Sequence, residues 1–184
     1  LANSEYKNYY NEVQIHGSSN FAPSGVDPAY SAAAKIVDQY YAPSGYPHIT
    51  YNFLYKKKIS YGDSDDEFLN TMAGVFNSQR KKLGADAGIA ISSTLESNSL
   101  SVDINVKSAK AQEYNIAVWV LENNIYSPNQ NGATSELHKT YQHALRFIAT
   151  NYTRYDISGD YLGEIGVGEV GDASYIIPLD SSWD

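Results

Sequence analysis

Glu113-Tyr-Asn-Ile-Ala-Val-Trp-Val-Leu-Glu122, then Asn123-Asn-Ile-Tyr-Ser-Pro-Asn-Gln-Asn-Gly-Ala-Thr-Ser-Glu136, then Thr140-Tyr-Gln-His-Ala-Leu-Arg-Phe-Ile-Ala-Thr150 decide the fold. In the first piece Tyr114, Ile116, Val118 and Val120 alternate with Asn115, Ala117, Trp119 and Leu121. Both sets are largely apolar, so one central strand covered on both faces is expected. The second piece is polar, breaks any helix and exceeds an ordinary hairpin loop. The third returns as a strand, and the hairpin so formed makes this half of the chain all-β.

Outward from the hairpin the β signal continues. Leu100, Val102, Ile104 and Val106 alternate with Ser101, Asp103, Asn105 and Lys107, the pattern of a strand with one wet face. Ala87 to Leu95 precedes it as a strand. Tyr152 to Ile157, Tyr161 to Val167 and Ala173 to Leu179 follow, separated by Gly- and Asp-bearing turns. Six to eight strands in about 100 residues predict a β-sandwich of immunoglobulin-like or jelly-roll type over 85–184.

Before Gly84 the period is helical. Asp27-Pro28 reads as a helix start, with Ala33, Ile36, Val37, Tyr40 and Tyr41 as its apolar face and Ala42-Pro43-Ser44-Gly45 as its stop. Ser4 to Asn11 reads as the end of a helix, and Glu12 to Gly17 as a short strand ended by Gly17. Two strands, His48 to Tyr55 and Lys58 to Tyr61, follow Tyr46-Pro47. Ser64-Asp-Asp-Glu67 is a capping box opening a helix striped by Phe68, Met72, Val75, Phe76, Gln79 and Leu83. A strand pair introduced by Gly-Tyr-Pro after a helix resembles the second half of a thioredoxin fold, which implies a cis Pro47. The expected class is therefore α+β: an incomplete thioredoxin-like α/β domain over 1–84, lacking its first strand and any Cys-x-x-Cys, followed by the β-sandwich.

Val120-Leu-Glu122 with its Gln130-bearing loop, followed by Tyr141-Gln-His143-Ala-Leu-Arg146, resembles the twenty-eight-kilodalton outer-membrane protein family of Gram-negative anaerobes. Val13-Gln-Ile-His16-Gly and Gly45-Tyr-Pro47 are similar to that family's thioredoxin-like part. The resemblance runs from about Glu12 to the C-terminus and departs from the family at the absent cysteine pair. It implies an exported protein of the outer membrane, cell surface or periplasm, commonly lipid-anchored, with no established enzymatic activity.

Composition narrows the function. The chain has 184 residues, 42% hydrophobic, enough for a core without disulfides or metal. A formal charge of −8 argues against nucleic acid, and the short basic runs Lys56-Lys57-Lys58 and Arg80-Lys81-Lys82 read as solvated surface. With no cysteine, thiol catalysis and thiolate metal sites are excluded for these residues. No apolar run reaches the 18 or so residues of a bilayer span. A start at Leu1 rather than Met leads to the expectation of a processed or truncated product, so a lipid anchor upstream stays open. Seventeen tyrosines suit strands facing water and binding surfaces alike.

His143, on a strand face with Tyr141, Leu145 and Phe147, is expected as a hydrogen-bonded core histidine. Arg146 is expected on the other face, clamping Glu122 across the hairpin, a structural pair because Arg gives up no proton near neutrality. His16, His48, His138 and His143 lack metal-ligand spacing, and Asp63 to Glu67 lacks that of a calcium loop. Gly163-Glu-Ile-Gly-Val-Gly168 has no helix after it and is no dinucleotide fingerprint. No metal or cofactor is therefore expected. The favoured function is a non-catalytic module binding a protein or glycan through the 123–137 loop, with Tyr126 and Gln130 as contacts. The alternative is a thiol–disulfide oxidoreductase whose cysteines precede Leu1. A glycoside hydrolase is a weaker third reading, needing two carboxylates in one cleft. Oligomeric state is open.

Overall fold

The computed structural model of the protein describes residues 11–17, 27–43, 45–46, 48–51, 55–58, 65–82, 84–128 and 135–183. Among them the fold is mixed α+β, with strand residues outnumbering helical ones. The chain divides into two compact units: Leu1–Asn11 with Ala42–Ala85, and Glu12–Tyr41 with Asp86–Asp184. This differs from a single boundary at Gly84, because the segment after Glu12 and the first helix pack with the β-rich unit.

In the first unit β1 (His48–Tyr51) pairs antiparallel with β2 (Tyr55–Lys58), His48 opposite Lys58 and Tyr51 opposite Tyr55. Helix α2 (Asp65–Lys82) follows, with Met72, Val75 and Phe76 half-buried at helical spacing and Leu69 exposed. Pro47, expected cis, and Ser64, expected to cap α2, lie outside the described residues.

In the second unit α1 (Ala32–Tyr41) starts several residues later than Asp27-Pro28 suggested. Residues 27–30 form a turn closed by the Tyr30 N–H donating to the Asp27 carbonyl at 2.9 Å. Ser31 is the real cap: its Oγ accepts the Ala34 N–H at 3.0 Å, the third-residue amide an N-cap satisfies. The same hydroxyl donates to the Leu145 carbonyl at 2.6 Å, pinning the helix to the sheet. Ala33, Ala34, Val37 and Tyr41 are buried against Leu145, Ile148 and Ile157, while Tyr40 faces outward. Ala42 ends the helix in the left-handed region at φ 42°.

The single central strand expected from Glu113 to Glu122 is two strands. β5 (Gln112–Ile116) pairs with β10 (Asp160–Ile165), and β6 (Trp119–Glu122) pairs with β9 (Ala144–Ile148), both antiparallel. The chain changes partner at Ala117-Val118, where the Thr150 Oγ1 accepts the Val118 N–H at 3.3 Å. Gly159 sits against this break at φ +87°, so close that a Cβ there would meet the Ile116 carbonyl oxygen at 1.9 Å. Only glycine tolerates both the angle and the approach. The alternation itself holds: Trp119 and Leu121 pack toward α1, Val118 and Val120 toward the opposite layer.

That layer is a sheet in the order β11-β4-β3, built from β3 (Ala87–Glu96), β4 (Ser99–Ser108) and β11 (Val170–Pro178). In β4 Val102, Ile104 and Val106 are buried while Asp103, Asn105 and Lys107 are exposed, the alternation read from the sequence. They pack with Ile116, Ile165 and Ile177 and with Val118, Val120 and Phe147 from the middle strands. The polar connection after β6 carries its own ladder, β7 (Ile125–Tyr126) against β8 (Thr140–Tyr141), with a 3-10 turn at Glu136–Lys139. The strand expected over Tyr152 to Ile157 is a turn with one bridge, Thr153 to Asp156.

Candidate functional site

The site grows from an irregularity in the β6–β9 ladder. Val120 faces Phe147 and Leu121 faces Leu145, so Arg146 is the extra residue of a bulge. A bulge re-aims the side chains around it. Here it puts Leu145 and Ile148, three apart, in the α1-side core, and Phe147 in the other. Arg146 turns back along the strand: its Nε lies 2.7 Å from Glu122 Oε2, both side chains about nine-tenths buried. Its Nη1 donates to the Pro28 carbonyl at 2.7 Å, and its guanidinium carbon lies 5.9 Å from the Trp183 ring centroid. The expected Glu122–Arg146 clamp is present, and it also ties down the turn before α1 and a residue near the C-terminus.

Beside it lies a second pair, between residues whose local sequence predicts a short strand and a helix start. His16 Nδ1 is 2.7 Å from Asp27 Oδ2, with Asp27 only 4% exposed. Asp27 Oδ1 accepts the Ala29 N–H at 2.9 Å. Burial pushes the Asp27 carboxyl up, but hydrogen bonds from His16 and the Ala29 amide, with the charges of His16 and Arg146, outweigh it and hold the group below its ordinary value. The His16 ring lies against Tyr141, tilted by 60°, at 4.2 Å between centroids. Burial and the Asp27 charge push the Tyr141 phenol up. His16 reaches this place because its segment bridges β9 in parallel, Gln14 N–H to the His143 carbonyl at 2.9 Å and Leu145 N–H to the Gln14 carbonyl at 3.0 Å. Nothing in the local sequence signals a pair formed across eleven residues by tertiary packing; a carboxylate ahead of a proline reads first as a helix cap.

His143 is not the core histidine expected. It is exposed and takes a left-handed φ of 54° between β8 and β9, a corner that lifts its side chain off the face shared by Tyr141 and Leu145. Its N–H donates to Asn123 Oδ1 at 2.8 Å, closing the corner. Tyr126 is 52% exposed on β7, its hydroxyl donating to Glu136 Oε2 at 3.1 Å. Lys139 Nζ lies 2.7 Å from Glu136 Oε1. The Lys139 and Tyr126 hydrogen bonds hold the Glu136 carboxyl below its ordinary value. Gln130 and Pro47 lie outside the described residues.

Glu122, Arg146, Asp27 and His16 thus face one another and backbone. Arg146 and Glu122 are paired with each other. The Asp27–His16 pair has the orientation of a base and its orienting carboxylate. Among the described residues, however, the imidazole makes this one side-chain hydrogen bond, and no Ser or Thr hydroxyl is aligned on it. No three of His, Asp or Glu among them converge as metal ligands. No helix among them is long and apolar enough to cross a membrane. Residues 34–184 match the family model described as outer membrane protein Omp28. Neither a curated protein nor a solved structure matches the chain.

Proposed function

We propose that this chain, which belongs to the outer membrane protein Omp28 family, is a non-catalytic module that recognises a protein or glycan. The family is one of outer-membrane proteins, so the protein works at the outer membrane or cell surface. The observation that carries the binding reading is the contrast between two neighbouring groups of side chains. Asp27 is buried and Glu122, Arg146 and His16 are largely covered, each held in a pair, whereas Tyr126 stands half exposed on a short ladder braced by Glu136 and Lys139. An aromatic ring held at low entropic cost beside a carboxylate and an amine suits a sugar face or an extended peptide. We read the packing of β4 and β11 on the middle strands as a sandwich that supports this loop. Arrays of purified glycans and of secreted proteins, probed with wild type and Tyr126→Ala, test the reading. Binding that Tyr126→Ala abolishes supports it, and binding indifferent to that change refutes it.

A thiol–disulfide oxidoreductase is the second reading, favoured by the strand–strand–helix order of the first unit, which is that of the second half of a thioredoxin fold. It requires a Cys-x-x-Cys upstream of Leu1. Insulin reduction by the full-length protein decides it: turnover supports the oxidoreductase and its absence the binder. The proposal extends to a lipid anchor upstream of Leu1, tested by mass spectrometry of the protein extracted from membranes.

A further inference from the structure

We propose that β3 is a self-association edge, along which two copies of the chain join their β11-β4-β3 sheets into one six-stranded sheet. Among the described residues β3 ends the sheet, so one side of its backbone presents N–H and C=O groups with none of their strands beside it. Sheet edges are ordinarily blunted by Lys, Pro, a bulge or short length. β3 has none of these: it runs ten residues, Ala-Gly-Ile-Ala-Ile-Ser-Ser-Thr-Leu-Glu, in unbroken register with β4. β10 in the same unit carries a bulge, and β11 ends in Pro178.

The exposed side chains point the same way. Ile89, Ile91 and Leu95 lie opposite Val106, Ile104 and Leu100 and therefore on the face that β4 buries. Val106 and Ile104 are 6% and 4% exposed, yet Ile89, Ile91 and Leu95 are 67%, 68% and 64% exposed. The inner apolar face thus overhangs the layer beneath it by one strand.

Charge selects the occupant and the register. In an antiparallel pairing of two β3 strands about a two-fold axis at Ser92, Ile89 faces Leu95 of the second copy and Ile91 faces its Ser93. Gly88 then faces Glu96 of the second copy. Gly88 has no side chain and open space where a Cβ would stand, and Lys107 is its neighbour on β4. Glu96 of one copy and Lys107 of the other are then two strand spacings, roughly 10 Å, apart at Cα, within joint side-chain reach. Neither residue is in an ion pair among the described residues. Moving the axis to Ile91 sets Glu96 opposite Asp86, a like-charge contact that disfavours the slip. A second copy meets every term of this fit, because the strand complements itself.

The experiment uses the chain's lack of cysteine. Ser92→Cys puts a single thiol on the proposed axis, where paired residues lie about 4.5–5.5 Å apart at Cα, inside the disulfide range. Thr94→Cys puts the thiol on the same strand and face but two residues off the axis. Under mild oxidation Ser92→Cys is expected to form a disulfide-linked dimer and Thr94→Cys at least tenfold less. Analytical ultracentrifugation of the wild type should show a concentration-dependent dimer, abolished by Ile91→Lys with unchanged circular dichroism, Ile91 being exposed in the single chain. A monomer at every concentration, equal cross-linking of the two cysteine variants, or a dimer indifferent to Ile91→Lys overturns the proposal.

Discussion

Arg146→Met is the perturbation that most directly probes the charged cluster. Methionine keeps much of the arginine stem but removes the cation that Glu122 faces at 2.7 Å and the donor to the Pro28 carbonyl. Both partners of the ion pair are about nine-tenths buried, so the variant leaves a carboxylate out of water with its counter-charge gone. Breaking a buried pair from one side costs about 3–5 kcal/mol, whereas replacing both partners by apolar groups is often close to neutral. Arg146→Met should therefore lose about 3–5 kcal/mol, and Glu122→Leu combined with Arg146→Met should recover much of it. The two tryptophans, Trp119 and Trp183, both lie in the second unit, so urea unfolding followed by tryptophan emission reads that unit alone. A loss under about 1 kcal/mol, or strictly additive single and double variants, would refute the clamp.

Gly159→Ala should cost at least about 2 kcal/mol, because its Cβ would meet the Ile116 carbonyl at 1.9 Å on a residue already at φ +87°; the same urea titration reads it. Leu145→Ala should cost about 2–5 kcal/mol, since that side chain is fully buried between α1 and the sheet. Asp27 has a carboxyl held below its ordinary value of 3.8 in the folded state, so the unfolded chain takes up its proton first as pH falls. Its contribution is complete above that value and disappears as pH drops through the lower folded one. Stability measured from pH 6 downward should fall less steeply in Asp27→Asn than in wild type. Tyr126→Ala should leave unfolding within about 0.5 kcal/mol of wild type, because that ring is a surface group with a single hydrogen bond to exposed Glu136.

Much of this architecture is legible in the order of residues, and the parts that are not share a physical cause. The wet and dry faces of β4 follow from strict alternation, and so do the two covered faces of the stretch Val118 to Leu121, because side-chain direction in a strand has a period of two. The Glu122–Arg146 pair follows from placing the two residues on antiparallel neighbours. What alternation cannot register is an interruption of itself. The bulge at Arg146 moves Leu145 and Ile148 onto one face, and the corner at His143 throws a residue read as core into solvent. The break at Ala117 depends on Gly159, forty-two residues later, pressing on the Ile116 carbonyl. Asp27 reads as a helix cap because nothing nearby in the chain indicates that His16 claims its carboxylate. Ser31, four residues on, offered an equally good cap and took the role.

The claim that recognition, rather than chemistry, is this protein's work comes down to Tyr126. The decisive measurement is the affinity of wild type and Tyr126→Ala for the strongest glycan or protein found by array, taken beside their urea unfolding curves. At least a tenfold loss of affinity with superimposable unfolding is expected. Equal affinities for the two proteins would contradict it.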